Sequence, residues 1–390
     1  MPRCRAYIES LGTVSSAGVG LKQLRRSLFA PNRNCLQICK DLCGRPVPVG
    51  VVDDAWLGTT RLPRTARLIE ACLVQMPDLS ARIKEAGAHR CAVVIGACTS
   101  GMPEVEAAMQ LRASTGRLPE DFCIRALNLD EPAHFIADRL GITGPAYTIS
   151  NACASGSMAI LSGIELLESG LADFVIAGGV DSLSRFTTSG FAALGAVSDA
   201  PCAPFSRERN GINLGEGGAL VALVKNKTQS SFMAVAGGFE TCDAYHFSAP
   251  DPSGAGAEAA MRGALADADL SAEDIDLVSA HGTGTVHNDQ MEALAAGRIF
   301  GQNVPMASYK RLTGHTLAGA GALQAAIAAA HLTDNPRGRL AANASDYPAD
   351  PALAARILEE ACELGRPVRA VLTNAFAFGG SNASIVFSAP

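Results

Sequence analysis

The chain has 390 residues and a formal net charge of −6, with 48% hydrophobic but only 5% aromatic residues. The length allows one large or two medium domains, and the acidic balance excludes nucleic acid and anionic membranes as main partners, so an anionic partner would need a local basic patch. Few rings, with abundant Ala and Gly, predict helices packed closely on sheets.

The opening Met1-Pro2-Arg3-Cys4-Arg5 lacks the charged-then-apolar layout of a secretory signal. No uninterrupted apolar run reaches membrane-spanning length, and a cytoplasmic protein is expected. Residues 7–15 read as a strand and turn. Cys35, Cys39 and Cys43 follow at a spacing of four, as one face of a helix. They could serve a metal or cluster, or act as small apolar residues on a buried face; the second is expected, because no anchored fourth ligand accompanies them. The twelve cysteines show no paired zinc spacing. Further on, apolar runs at 91–96, 174–179 and 275–280 alternate with Ala-rich helical segments, the pattern of an α/β fold with mostly parallel strands.

A strand at 146–150 leads into Asn151-Ala152-Cys153-Ala154-Ser155-Gly156, and a helix is predicted over 157–167. Cys153 then stands at a helix N-terminus, where unpaired N–H groups and the helix dipole favour thiolate. A free thiol, of pKa ~8.5, is only a few per cent ionised at neutral pH; a pKa of ~7 would make it about half ionised. The second half repeats the device: a strand at 304–309 turns through Gly314-His315 into a helical stretch at 317–323. Two similar halves, 1–234 with the cysteine and 235–390 with the histidines, would bring these turns together at a pseudo-twofold axis.

His281 opens the Gly/Thr loop His281-Gly282-Thr283-Gly284-Thr285 at the end of a strand, where α/β folds place functional groups; a histidine taken alone is more often a satisfied structural one. A helix is expected from Asp289 onward. Lys310 precedes His315 by five residues, and the last block is Asn374-Ala375-Phe376-Ala377-Phe378-Gly379-Gly380-Ser381-Asn382. Its adjacent glycines let backbone N–H groups approach a ligand as an oxyanion hole requires.

In this co-linear order, with Pro204-Phe205-Ser206-Arg207-Glu208-Arg209-Asn210-Gly211 and Leu214-Gly215-Glu216-Gly217 between the active-site blocks, the chain resembles the elongating β-ketoacyl-acyl carrier protein synthases of the thiolase superfamily from about Val93 to its end. The resemblance implies a thiolase fold, two pseudo-symmetric α/β halves in an α-β-α-β-α layering. It implies that Cys153 accepts an acyl chain from a carrier-protein thioester, with the N–H groups of Cys153 and Phe378 as the oxyanion hole. His281 and His315 would hydrogen-bond the malonyl thioester oxygen during decarboxylation. The resulting carbanion would attack the acyl group and lengthen the chain by two carbons. Lys310 and Glu292 would form a buried ion pair, catalytic or simply structural, and Asp289 would be structural.

By the same resemblance Thr283, Thr285 and Ser248 would hold the phosphopantetheine arm. Ala152, Phe191, Leu317 and Phe378 would line the acyl pocket beside the Gly379 loop. Arg64, Arg67, Arg125 and Arg207, with Arg61 and Arg117, would offer a basic docking face to the acidic acyl carrier protein. No metal or organic cofactor is implied, since the phosphopantetheine arrives on the carrier. The family usually has Gly where Ala377 stands, and Ala disfavours positive φ, so a different loop gating is expected. The blocks at 179–183, 190–194 and 248–252 look like the ketosynthases of bacterial aryl-polyene and related pigment pathways. Alternatives are a fatty-acid-elongating ketosynthase and a pocket-shaping subunit of a ketosynthase/chain-length-factor heterodimer. A thiolase would need a second cysteine as base, which the C-terminal Gly-rich block lacks. The family also implies a dimer, homomeric or with a chain-length-factor-like subunit.

Overall fold

A computed structural model describes residues 4–30, 34–58 and 62–390. The first half contributes strands β1 (Ala6–Ser15), β2 (Cys91–Gly96), β3 (Ala146–Ile149), β4 (Phe174–Asp181) and β5 (Gly217–Val224). The second contributes β6 (Met233–Cys242), β7 (Leu277–Ser279), β8 (Met306–Ala307), β9 (Ala370–Phe376) and β10 (Ser381–Ser388). They lie on one hydrogen-bonded path, β8-β7-β9-β10-β6-β1-β5-β4-β2-β3. Read outward from the middle, each half has the same order: first strand, fifth, fourth, second, third. The directions match too. The first–fifth and fifth–fourth pairs are antiparallel, and the fourth–second and second–third pairs parallel, in both halves. The halves join where Ala6–Ile8 pair antiparallel with 233–235.

Helices α1 (Arg64–Leu73) and α2 (Glu131–Leu140) cover the outer face of the first half. Helix α3 (Ser155–Glu168) packs on β2 and β4. Helices α4 (Ala255–Asp267) and α5 (Val286–Phe300) cover the outer face of the second half, and α6 (Ala318–Leu332) packs on β9, β5, β4 and α3. The layering is therefore α-β-α-β-α, with α3 and α6 as the middle layer. Strands β2, β4, β5, β9 and β10 are buried along their whole length, which is why β2, β4 and β5 are apolar almost throughout rather than alternating.

The middle layer is thin because it is built from small residues. A Cβ on Gly156 would lie 2.4 Å from the Ala318 carbonyl oxygen, and one on Gly179 would lie 2.6 Å from the same atom. One on Gly321 would lie 2.6 Å from the Ser157 nitrogen. These contacts bring the starts of α3 and α6 together.

Local expectations needed three adjustments. Cys35, Cys39 and Cys43 do not share a helix face. Gln37–Cys39 is a strand paired antiparallel with Val47–Val49, because Gly44 (φ +77) turns the chain and Pro46 and Pro48 cannot continue a helix. Cys39 and Cys43 pack on Val47, Val49 and Val197 as small hydrophobes. Helix α5 begins at Val286 rather than Asp289, since the Thr285 hydroxyl accepts from the Asn288 N–H and caps it. Ala377 is extended (φ −117, ψ 156) and carries no backbone strain. Among the described residues no helix is long and apolar enough to cross a membrane. Gly156→Val should cost about 1–3 kcal/mol by forcing the two central helices apart, readable as a lower urea midpoint.

Candidate active site

Both turns that start the central helices are strained. Ala152 has φ +47 and Leu317 φ +50, a left-handed conformation that L-residues other than Gly and Asn rarely adopt. At the first turn the Ser155 hydroxyl pins the elbow, accepting from the Asn151 N–H at 2.7 Å and donating to the Ala152 carbonyl at 2.6 Å. Cys153 follows on a single 3-10 turn and is buried. At the second turn His315 is gripped by its backbone: its N–H donates to the Asn213 carbonyl at 2.7 Å and its carbonyl accepts from Gly215 N–H at 3.0 Å. Gly314 fits because its φ is +66 and a Cβ would meet the Leu214 carbonyl oxygen at 2.6 Å.

The two turns meet. His315 Nε2 lies 2.9 Å from Cys153 Sγ. The rings of His281 and His315 are edge-on, 5.2 Å apart and inclined at 81°. Sγ and one nitrogen from each ring lie within 4.8 Å of one another. The backbone N–H groups of Phe378 and of Cys153 itself lie near enough to Sγ to favour its ionised form.

Lys310 and Glu292 do not meet as an ion pair, contrary to expectation. They hold the same stretch of backbone from two sides. Glu292 accepts from the N–H groups of His281 (2.8 Å) and Gly282 (2.7 Å) and from the Asn374 amide (3.0 Å). The Lys310 ammonium donates to the His281 carbonyl. Asp289 likewise holds Phe205 N–H (2.8 Å) and Gly284 N–H (3.1 Å). These carboxylates are spent on buried N–H groups, each of which would otherwise lack an acceptor.

The electrostatics differ from the helix-dipole expectation. Burial pushes the Cys153 thiol up to about 11, against the pull of the Lys310 charge and the two N–H groups. Burial, and then the Lys310 charge, hold His281 and His315 well below the usual imidazole range. The resting trio is therefore a thiol beside two neutral imidazoles. Burial likewise lowers Lys310 and raises Glu292.

A cavity of about 430 Å³ opens onto the trio. Thr283, Thr285 and Ser248 lie in its wall, as do Phe191 and Phe378, whose rings stack obliquely 5.4 Å apart. Ala152, Leu317 and Gly379 are not part of the wall. Leu317 packs instead with Ile212 and Leu214 against Phe191, and the Gly379 N–H donates to the Phe247 carbonyl at 2.8 Å. Sequence reasoning missed Asp243, Asn210 and His287, which also line the cavity. Asn382 joins them, donating to Asp243 Oδ1 at 2.7 Å. Asn210 and Asn382 stand inside the quoted motifs, a usable signal; Asp243 and His287 carried none.

The arginines divide. Arg64 is committed to the interior, bonding Glu216 through Nε (3.1 Å) and Nη2 (2.5 Å), Asp54 (2.6 Å) and the Val52 carbonyl (2.6 Å). Arg67 bonds Asp54 (2.8 Å) and the Gly58 carbonyl (3.0 Å). Arg117 and Arg125 are exposed, and Arg207 is exposed with Asp350 3.7 Å away. Arg61 lies outside the described residues.

Residues 65–229 match the family model "Beta-ketoacyl synthase, N-terminal domain", and residues 233–336 the corresponding C-terminal domain. The chain belongs to the β-ketoacyl synthase family. Members of this family are acyltransferases that form carbon–carbon bonds. The chain is 33% identical to Nodulation protein E of Rhizobium meliloti, over 78% of this chain and 76% of that protein. It is 28% identical to a 3-oxoacyl-[acyl-carrier-protein] synthase 2 of Coxiella burnetii, over 100% and 99%. Among solved structures, the ketosynthase ApeO in complex with its chain length factor ApeC from Xenorhabdus doucetiae matches with TM-score 0.90 and 36% identity, covering 99% of this chain and 98% of that one. The fold is the thiolase fold of these ketosynthases.

Two outcomes follow. Iodoacetamide modification of Cys153 should keep accelerating through pH 9, because the thiol ionises near 11; a plateau centred near neutral pH would reveal a resident thiolate. Arg64→Glu should cost about 3 kcal/mol or more in urea unfolding, since it sets a carboxylate against buried Glu216, and this loss should exceed any change in carrier-protein KM.

Proposed function

We propose that Cys153, His281 and His315 carry out a decarboxylative Claisen condensation that lengthens a carrier-bound acyl chain by two carbons. The observation that carries this reading is the convergence on Sγ of His315 Nε2, at 2.9 Å, and of the N–H groups of Cys153 and Phe378, at the inner end of the cavity.

In the first half-reaction Sγ attacks the thioester carbonyl of the acyl carrier. The oxygen takes negative charge and is held by the two N–H groups. The bond to the pantetheine sulfur then breaks, and the proton given up by Sγ ends on that leaving sulfur, so the buried site gains no net charge. In the second, the bond from the malonyl α-carbon to its carboxylate breaks. Its electrons pass into the thioester carbonyl, and the enolate oxygen accepts hydrogen bonds from His281 and His315. With CO2 released, the α-carbon attacks the acyl carbonyl on Sγ, a carbon–carbon bond forms, the carbon–sulfur bond breaks, and the departing thiolate takes its proton from solvent water. Neutral imidazoles suit this step, because an imidazolium would donate its proton to the carbanion. Thr283, Thr285 and Ser248 receive the pantetheine arm, and Phe191 and Phe378 border the acyl group. The thiol, two imidazoles and two N–H groups cover every step, so no metal or organic cofactor is required and the phosphopantetheine comes with the carrier protein. A reducing cytoplasm would keep the thiol free.

The acyl chains we assign are those of aryl-polyene or related pigment synthesis, and the partner is a chain-length-factor-like subunit. The likeness to ApeO, at 36% identity over nearly the whole chain, supports both. A free sheet edge supports a second subunit as well. Among the described residues strand β3 pairs only with β2, and the Thr148 hydroxyl on it is buried without a partner. Exposed Ile124 lies on the turn that packs against α2, which itself covers β3. Fatty-acid elongation is the second reading, favoured by full-length similarity to the Coxiella synthase. A pocket-shaping role alone would leave the Cys153–His315 contact without a purpose.

Intact mass after incubation with acyl-carrier protein, with a partner subunit supplied, tests the assignment. An acyl adduct should form, vanish in Cys153→Ala, and be discharged by malonyl-carrier protein into a ketoacyl product two carbons longer. His281→Ala should still load but discharge about a hundredfold more slowly, the scale of one lost oxyanion donor. Chelators should leave both steps unchanged. No adduct from saturated, enoyl or polyenoyl donors would overturn the reading.

A further inference from the structure

One buried carboxylate near the site has no part in the chemistry above. Asp181, fully buried at the end of β4, has four hydrogen-bond donors on its two oxygens. Oδ1 accepts from the N–H groups of Cys98 and Thr99 and from the Thr99 hydroxyl, each at 2.9 Å. Oδ2 accepts from the Ala318 N–H at 2.9 Å. Ala318 is the first residue of α6, directly after the strained Leu317 and three residues beyond His315. Cys98 lies on the loop after β2, and its thiol donates to the Ala152 carbonyl at 3.4 Å, beneath the strained residue that precedes Cys153.

We propose that Asp181 is a positioning residue for the condensation: its carboxylate spans the two halves and holds the turn bearing His315 against the loop that backs Cys153. This rests on the assignment of Cys153 and His315 as the reacting pair. Two features mark it as more than a core contact. Its partners belong to the two strained turns themselves, one directly and one through Cys98. Its charge also opposes ionisation of Cys153, whereas the Lys310 ammonium favours it. The other titratable groups around the thiol are His281 and His315, which are neutral, and Cys98, which burial keeps protonated. Asp181 itself is raised to about 6 by burial, so it is charged at pH 8.

Geometry and charge can be separated by two near-isosteric changes. In Asp181→Asn the charge is gone and an amide N–H₂ faces at least one buried N–H that then lacks an acceptor. With that donor unsatisfied the turn bearing His315 is no longer held, so kcat for condensation should fall by about tenfold or more with carrier-substrate KM little changed. At the same time iodoacetamide should modify Cys153 faster than in the wild type at pH 8, because the opposing charge is removed. Asp181→Glu keeps the charge but is one methylene too long for all four donors. Its alkylation rate should stay at the wild-type value while kcat falls. A merely structural residue would lose kcat in both variants in step with the unfolding midpoint, with Cys153 alkylation rising in both as the fold loosens, and that result would overturn the proposal. So would a wild-type kcat in either folded variant. Should Asp181→Asn not fold, the glutamate variant alone decides between these outcomes. Alkylation reads the thiol whatever the enzyme condenses, so failure of the ketosynthase reading would appear separately, as a wild type that alkylates but makes no ketoacyl product.

Discussion

The site depends on how closely two helix starts can approach. Gly156, Gly179, Gly319 and Gly321 leave no room for a Cβ against facing backbone, and the Ala318 carbonyl oxygen is the neighbour that both Gly156 and Gly179 would strike. Because α3 and α6 descend from the same position in two equivalent halves, this contact brings the residue at one helix start to the residue at the other. The thiol and the imidazole meet there. A bulkier middle layer would keep the fold class and lose the reacting pair.

Around this contact charge is managed by burial and backbone. Glu292, Asp289 and Asp181 each satisfy N–H groups of the loops that carry His281, Thr283–Thr285 and His315, and Lys310 takes the remaining His281 carbonyl. The loops are thus held at several points by groups that do not themselves react. The same desolvation that makes these bonds strong keeps the thiol and both imidazoles uncharged. That state suits a reaction passing through a carbanion, which a nearby imidazolium would protonate.

The outer surface follows a different logic. Arg64 and Arg67 look like docking charges in the sequence, yet buried Glu216 ties Arg64 to the interior and Asp54 pairs with both. At the cavity mouth the polar groups that a pantetheine arm could meet come from four separate segments: Asn210, Asp243 and Ser248, Thr283 and Thr285, and Asn382.

What the sequence by itself determined was the alternating α/β plan, the doubled half and the three side chains that converge, Cys153, His281 and His315. Each is marked by a local rule: continuous apolar runs for doubly covered strands, small residues where helices touch, and glycines around His281, His315 and Phe378 where the backbone must turn or approach. Reading Cys35, Cys39 and Cys43 as a helix face failed on the same level, since Gly44 and the two prolines after it override a spacing of four. The tertiary structure alone decided which charges pair, that the Cys153 thiol rests protonated and which residue stands behind the site. Asp181 stands in the 179–183 block, but nothing in that block tells its partners, which lie 82 and 137 positions away at Thr99 and Ala318. Arg64 meets Glu216 across 152 positions. Pairing and ionisation depend on distance and desolvation, which exist only once the chain has brought these segments together.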